Sequence, residues 1–119
     1  MINNSKNKMS VPVVNIRIEK SVDFEKVFTV KNPDNSLFNL DGYTATSKIR
    51  KHPTSTGVTT FTAGITTSTS QITLSLTEAQ TAILKSGINV YDIVITKTSN
   101  SKTSKIFEGN ATVVDTSSR

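Results

Sequence analysis

Residues 72–96 constrain the fold of this chain more than any other stretch, because they combine two strand patterns with a helix signal between them. Ile72, Leu74 and Leu76 alternate with threonine and serine, which is typical of a strand with one buried face. A second alternating run, residues 90–96, carries apolar side chains on both faces and therefore predicts a central strand. The rest of the domain is expected to be organised around this strand, helix and strand.

The connection between the two strands carries the start and stop signals of a short helix. Thr77 and Gln80 have the spacing of a capping box, in which each side chain bonds the backbone amide of the other residue. The helix is predicted to end near Lys85, because a cation suits the C-terminal end and Gly87 supplies a left-handed backbone. We expect this helix, from Thr77 to Lys85, to pack over the end of a sheet through Ala79, Ala82, Ile83 and Leu84.

Other alternating segments extend the strand pattern along the chain. They predict strands at residues 11–19, 22–30, 37–40, 43–51, 58–62 and 105–114. Residues 63–70 are nearly all threonine and serine and predict a connection, whereas Gly109 predicts a bulge in the last strand. This spacing of strands and turns predicts an all-β fold, an immunoglobulin-like antiparallel β-sandwich with one short helix.

The length of 119 residues fits one domain with a single core. We expect residues 1–11 to be an extended N-terminal arm, residues 12–115 the sandwich and residues 116–119 a frayed tail. Because Ile2 and Met9 are the only apolar residues among the first ten apart from the initiating methionine, the arm is expected to need a neighbouring chain to hold it.

The composition also limits the compartment and the chemistry. No apolar run approaches a membrane span, and the polar N-terminus lacks the apolar segment of a signal peptide, so we expect a soluble product that is not exported. Cysteine is absent, which excludes disulfides and thiolate metal sites.

The chain is basic, with 14 Lys and Arg against nine Asp and Glu. The densest basic run contains Lys48, Arg50, Lys51 and His52 and has no aromatic residue within it. Two interpretations stay open: a surface for nucleic acid or another polyanion, which would ordinarily include aromatics, and a solvated edge on which cations discourage stray strand pairing. The second is favoured, and no nucleic-acid partner is expected.

Residues with catalytic or metal-binding chemistry are few. The single histidine, His52, lies beside three cations that repel a metal, so a surface position is expected. Asp23 and Glu25 share a strand face, as a glycosidase pair would, but alternating charge on a solvent face is the favoured reading. Hard oxygens that suit either calcium or turns, the latter favoured, occur at Asp34, Asn35, Ser36, Asn39 and Asp41. We predict no catalytic residue, cofactor, metal or small-molecule substrate.

Five blocks span nearly everything between residues 13 and 114. They are VVNIRIEKSVDFEKVFTV (13–30), FNLDGYTATSKIRKHP (38–53), ITLSLTEAQTAILKSG (72–87), VYDIVIT (90–96) and KIFEGNATV (105–113). In this order and spacing they resemble a family of small virion proteins of tailed phages, of the kind found in T-even-like cyanophages and marine phages. A looser similarity runs to the N-terminal β-sandwich domain of phage upper baseplate proteins.

The resemblance implies a structural protein of the virion, made in the host cytoplasm, that is not an enzyme. Such a module would act as adaptor or decoration on the tail, baseplate or neck, or on the capsid surface, and would dock on other virion proteins or further copies of itself. No membrane partner is expected. Taking the arm and the basic loop as contact regions, we expect partner-binding residues at Ile2, Lys6, Met9, Val11, Lys48, Arg50, Lys51 and His52.

The alternative is a host-surface or carbohydrate-binding module of the virion on the same fold. Sugar recognition commonly uses aromatic rings as stacking platforms. This chain has no tryptophan, and its two tyrosines, Tyr43 and Tyr91, are predicted to point inward. The alternative is therefore the less favoured function.

Overall fold

The computed structural model describes residues 11–51 and 58–115, which form two packed β-sheets and one short helix. The strands are β1 (Ile16–Glu19), β2 (Phe24–Thr29), β3 (Tyr43–Arg50), β4 (Val58–Thr60), β5 (Thr62–Thr66), β6 (Gln71–Leu76), β7 (Gly87–Lys97) and β8 (Lys102–Val114), and the helix is α1 (Glu78–Ala82). Within this part of the chain, no helix has the length and apolar character needed to cross a membrane.

The sheets have the strand orders β1-β8-β7-β3-β4 and β2-β6-β5. All pairs are antiparallel except β1 with β8, which run parallel. The strands β2, β5 and β6 share one sheet, whereas β3 lies in the other. Strands B, D and E of immunoglobulin domains are separated from strand C in the same way. The predicted immunoglobulin-like β-sandwich is confirmed, and β7 has the predicted central position between β3 and β8.

The core lies between the two sheets and contains a cluster of aromatic rings. Phe28 of β2 lies 6.3 Å from the ring of Tyr91 on β7 and 5.1 Å from that of Phe107 on β8, measured between ring centres. Phe61 contacts Tyr91 at 6.3 Å and Phe24 at 5.9 Å. Tilted and edge-on rings at these separations attract one another beyond their simple burial. The cluster therefore joins the two sheets at their centre.

Two strand predictions were wrong. Residues 63–70 are not simply a connection, because Thr62–Thr66 form β5, an edge strand that pairs with β6. Its outward residues are threonine and glycine, so the segment lacks the polar and apolar contrast that marks a strand. Conversely, residues 37–40 form no strand, since only Leu37 makes an isolated bridge, to Lys31.

The predicted bulge in the last strand lies at a different residue. Phe107 pairs with Ile93 and Lys105 pairs with Val94, so the extra residue between them is Ile106 rather than Gly109. Gly109 is regularly paired, and its role is steric: a Cβ atom there would lie 2.2 Å from the backbone oxygen of Val14. A glycine is required because another segment of backbone passes over it.

The helix begins as predicted and ends early. Thr77 accepts from the amide of Gln80, and the Gln80 side chain accepts from the amide of Thr77, so the capping box is present. The helix ends at Ala82 because Leu84, only 7% exposed, turns into the core. Gly87, with a φ of 108°, begins β7 instead of closing the helix.

The helix is held to the sandwich mainly by a polar residue. Of the four apolar side chains expected to hold it, Ala79, Ala82 and Ile83 are exposed and only Leu84 is buried. Thr81 is fully buried, and its hydroxyl donates to the Val22 carbonyl at 2.9 Å and accepts from the Val22 amide at 3.2 Å. Asp23 adds a bond from the Glu78 amide at 2.7 Å. These contacts tie the helix to the turn between β1 and β2.

Gly109→Ala is expected to lower the free energy of unfolding by about 1–3 kcal/mol, because the new methyl group must displace the Val14 backbone. Gly64→Ala in β5 is the matched control, since nothing lies within 4 Å of its Cβ position. That control should keep or raise stability by about 0.5–1 kcal/mol. Urea unfolding of both variants measures the difference, and equal stabilities would contradict the assigned role of Gly109.

Thr81→Val keeps the side-chain shape but removes the hydroxyl that satisfies both backbone groups of Val22. We expect a loss of about 1–3 kcal/mol in unfolding free energy, because the amide and carbonyl are left without their partner. Thr46→Val, at an exposed position on β3, serves as control and should change stability by less than about 0.5 kcal/mol. A Thr81→Val protein as stable as the control would show that these bonds contribute nothing.

Candidate protein-interaction surface

The residues predicted to bind a partner fall partly outside the described chain. Ile2, Lys6, Met9 and His52 lie outside the described residues. The structure does describe the other members of the set, which are Val11, Lys48, Arg50 and Lys51. These four do not form one surface: they divide between two neighbouring grooves and a separate contact at the start of β7.

Lys48 and Arg50 line the first groove, which lies on the outer face of the five-stranded sheet and has a volume of about 470 Å³. We call it the outer groove. In the strand register Lys48 lies opposite Asp92 of β7, and Asp92 lies opposite Glu108 of β8. Lys48 and Asp92 therefore form a favourable cross-strand pair, whereas Asp92 and Glu108 are like charges that face each other. Both sides of β3 are paired, to β7 and to β4, so Lys48 and Arg50 lie on a sheet face and not on the edge that was predicted.

Lys51 is turned away from the outer groove. Its Nζ donates to the backbone carbonyl of Ser86 at 3.2 Å, next to the start of β7. The same amine lies 2.9 Å from the position that a Cβ of Gly87 would occupy. Lys51 thus helps to close the end of the sandwich, and its predicted grouping with Lys48 and Arg50 in one contact surface is not seen in the described chain.

Val11 lines the second groove, which we call the edge groove. It has a volume of about 340 Å³ and lies where the end of β2, the turn that follows it and the first half of β8 meet. Lys105 lines both grooves, and its Nζ lies 3.3 Å from Glu108 Oε1 and 3.7 Å from Asp92 Oδ2. The lining of the edge groove is largely apolar, through Val11, Pro12, Val30, Phe38, Ile106 and Phe107.

The edge groove lies beside an incompletely paired length of β8. The pairing of β1 with β8 covers only residues 111–114, and a bridge from Val13 to Glu108 extends it. Within the described ranges, no strand pairs with residues 102–107 on the side of β8 away from β7. A free strand edge presents unpaired amides and carbonyls to which a further strand can add.

The chain that enters the sandwich is fixed beside both grooves by three backbone contacts. The amide of Val14 donates to the Glu108 carbonyl at 2.8 Å, and the amide of Glu108 donates to the Pro12 carbonyl at 3.1 Å. The Tyr91 hydroxyl donates to the Val14 carbonyl at 2.5 Å. Tyr91 is 3% exposed, and this desolvation raises its pKa to about 12.

Among the hard oxygens considered for calcium, those of Asp34, Ser36 and Asn39 are engaged in turns. Asp34 Oδ1 accepts from the hydroxyl of Ser36 at 2.6 Å and from its amide at 3.0 Å, and these bonds lower the pKa of Asp34. Asn39 Oδ1 accepts from the amide of Asp41 at 2.9 Å. Within residues 11–51 and 58–115, no three His, Cys, Asp or Glu side chains come together as they would around a metal ion.

The tyrosines considered for sugar stacking are both occupied. Tyr91 is buried among the core aromatics. Tyr43 is half-buried, packs edge-on against Phe38 at 5.5 Å and has the amine of Lys97 6.0 Å from its ring centre. The Tyr91 ring is therefore withdrawn from solvent, and the Tyr43 ring is partly covered by its neighbours.

The apolar half of the edge groove was missed in the sequence. Simple alternation would place Ile106 and Phe107 on opposite faces of the strand predicted at residues 105–114, whereas the bulge places both against the core and the groove. The available signal was the occurrence of two consecutive large apolar residues in a strand that otherwise alternates. Val30 and Phe38 join them through a turn, and that proximity has no local sequence signal.

Comparison with known proteins found no relative: no family model matches the chain, and no curated protein matches it.

Replacing Tyr91 with phenylalanine should lower stability by about 1–2 kcal/mol, because the Val14 carbonyl loses its donor. The pKa of Tyr91 is raised above its ordinary value of 10.0, so the neutral phenol stabilises the fold fully below pH 10 and loses this effect as pH rises towards 12. The stability difference between wild type and Tyr91→Phe should therefore shrink above pH 10 in denaturant unfolding.

Tyr43→Phe is the control for this experiment, since its hydroxyl has no hydrogen-bond partner among the described residues. It should leave both the stability and its pH dependence close to those of the wild type. A Tyr91→Phe difference that stays constant from pH 8 to pH 12 would contradict the assigned role of the buried phenol.

Proposed function

We propose that this protein is a structural component of a phage virion, in which an immunoglobulin-like module docks on other particle proteins as adaptor or decoration. Its place would be the tail, the baseplate or neck, or the capsid surface. The proposal rests on the order of sequence blocks that resembles small virion proteins. The observation that carries it is a length of β8, residues 102–107, that no described strand pairs with on its outer edge and that lies beside an apolar groove, a combination suited to holding another protein.

The sandwich itself is suited to act as a rigid spacer. Its aromatic cluster joins both sheets, and the Thr81 and Asp23 contacts hold the helix against the turn between β1 and β2. The proposed contact surfaces are the edge groove and the outer groove, which are neighbours because Lys105 lines both. In this proposal the module contributes shape and binding surface, with no reaction assigned to any of its side chains.

The contacts proposed from the sequence fit this arrangement in part. Val11 lies in the edge groove, and Lys48 and Arg50 lie in the outer groove beside it. Both grooves adjoin the segment through which residues 1–10 join the sandwich, because Pro12 and Val14 pair with Glu108 there. A partner that contacts this side of the molecule would meet the residues of both grooves together.

The function is tested on particles of the phage that encodes the chain. After gradient purification, mass spectrometry should find the chain in a fixed ratio to the other particle proteins. A chain lacking residues 1–10 should be incorporated less well, whereas Lys85→Ala, at an exposed position beyond α1, should be incorporated normally. Absence of the intact chain from washed particles would rule out a virion component.

A further inference from the structure

We propose that the free edge of β8 and the edge groove together bind an extended acidic segment of a partner protein, which adds to the five-stranded sheet. This inference rests on the proposed function, because it supplies the chemistry of the particle protein on which the module docks. Three independent features of residues 102–107 and their surroundings carry it: backbone pairing capacity, an apolar cavity and the sign of the nearby charge.

The first feature is the mismatch in length between β8 and its edge neighbour. β8 has 13 residues and β1 has four, and the four pair with residues 111–114. The bridge at Glu108 is the last β-bridge that the described chain makes along this edge, and Pro12 and Val11 continue from it into the lining of the edge groove. A strand laid against residues 102–107 would extend the pairing and supply hydrogen-bond partners along the remaining length.

The second feature gives the added strand a place for one apolar side chain. Successive side chains of a strand point to opposite faces, so a strand at this edge directs alternate side chains towards the core side. There the edge groove lies open between Phe107 and Ile106 on one wall and Val30 and Phe38 on the other. Its volume of about 340 Å³ has room for at least one apolar side chain.

The third feature is charge. Lys31 and Lys105 line the edge groove, and no Asp or Glu is among its lining residues. Lys105 already contacts Glu108 and Asp92, whereas the exposed Lys31 and Lys102 form no ion pair within the described residues. Lysines at a sheet edge oppose pairing with neutral or basic strands. Carboxylates on the incoming segment would remove that obstacle, so the same lysines select an acidic partner.

The proposal is tested with synthetic peptides and the full chain. The probe is an eight-residue peptide of alternating valine and glutamate, compared with its valine and lysine counterpart and with a version carrying central prolines. Hydrogen exchange resolved by NMR reports on each amide of β8. The acidic peptide should slow exchange within residues 102–107 and leave β4 and β5 unchanged, while neither control peptide should do so.

Charge reversal tests the selectivity. Lys31→Glu and Lys102→Glu should each weaken binding of the acidic peptide by about two- to fivefold, the effect of one exposed ion pair. Lys85→Glu, exposed at the helix end of the molecule, should leave it unchanged. Phe38→Ser removes an apolar side chain from the edge groove, which is proposed to receive a valine of the peptide, and should therefore weaken binding of the acidic peptide. A thermal melt establishes that this variant is folded.

Four outcomes would overturn the proposal. With peptide, the first is that the acidic peptide does not protect residues 102–107, and the second is that the lysine peptide protects them equally. Without peptide, the third is protection that disappears when residues 1–10 are deleted, and the fourth is protection that depends on protein concentration. The third would assign the edge to the chain's own N-terminus and the fourth to a second copy. None of them bears on whether the chain is present in particles, so failure here is separable from failure of the proposed function.

Discussion

The side chain of Tyr91 makes the contact on which most of this structure depends. Its ring packs between Phe28 of the three-stranded sheet and Phe61, which lies where the chain crosses from β4 to β5. Its hydroxyl binds the Val14 carbonyl and so holds the entering chain over Gly109. A single residue of the central strand thus links both sheets to the first segment of the domain. Burial of this phenol is favourable only because the hydroxyl has an acceptor.

The position of the entering chain in turn determines where a partner can bind. Because residues 12–14 reach β8 at Glu108, the edge strand pairs with the second half of β8, and no described strand pairs with the outer edge of residues 102–107. The bulge at Ile106 lies in that first half and turns two neighbouring apolar residues towards the same cavity. Pairing capacity and an apolar cavity therefore occur at one place: the first follows from a parallel strand that begins late, and the second from the bulge and the turn after β2.

The candidate surface was foreseen from the sequence only in outline. Within the basic run, Lys48 and Arg50 lie on β3, whereas Lys51 binds the Ser86 carbonyl and does not join them. Val11 was assigned as a contact residue without any indication of the cavity beside it. That cavity is built from β2, the following turn and β8, which are distant in sequence, and no local pattern reports such a meeting.

By itself, the sequence determined the features that depend on near neighbours. Alternating apolar residues specified β6 and β7, and the Thr77 and Gln80 pair specified the helix start, because side-chain direction and capping act over two to four residues. Three other features are set by tertiary contacts: β1 runs parallel to β8, a threonine-rich segment becomes β5, and Thr81 is a buried anchor. Each of these depends on a partner far along the chain, and strand pairing selects that partner by the packing of the whole sandwich.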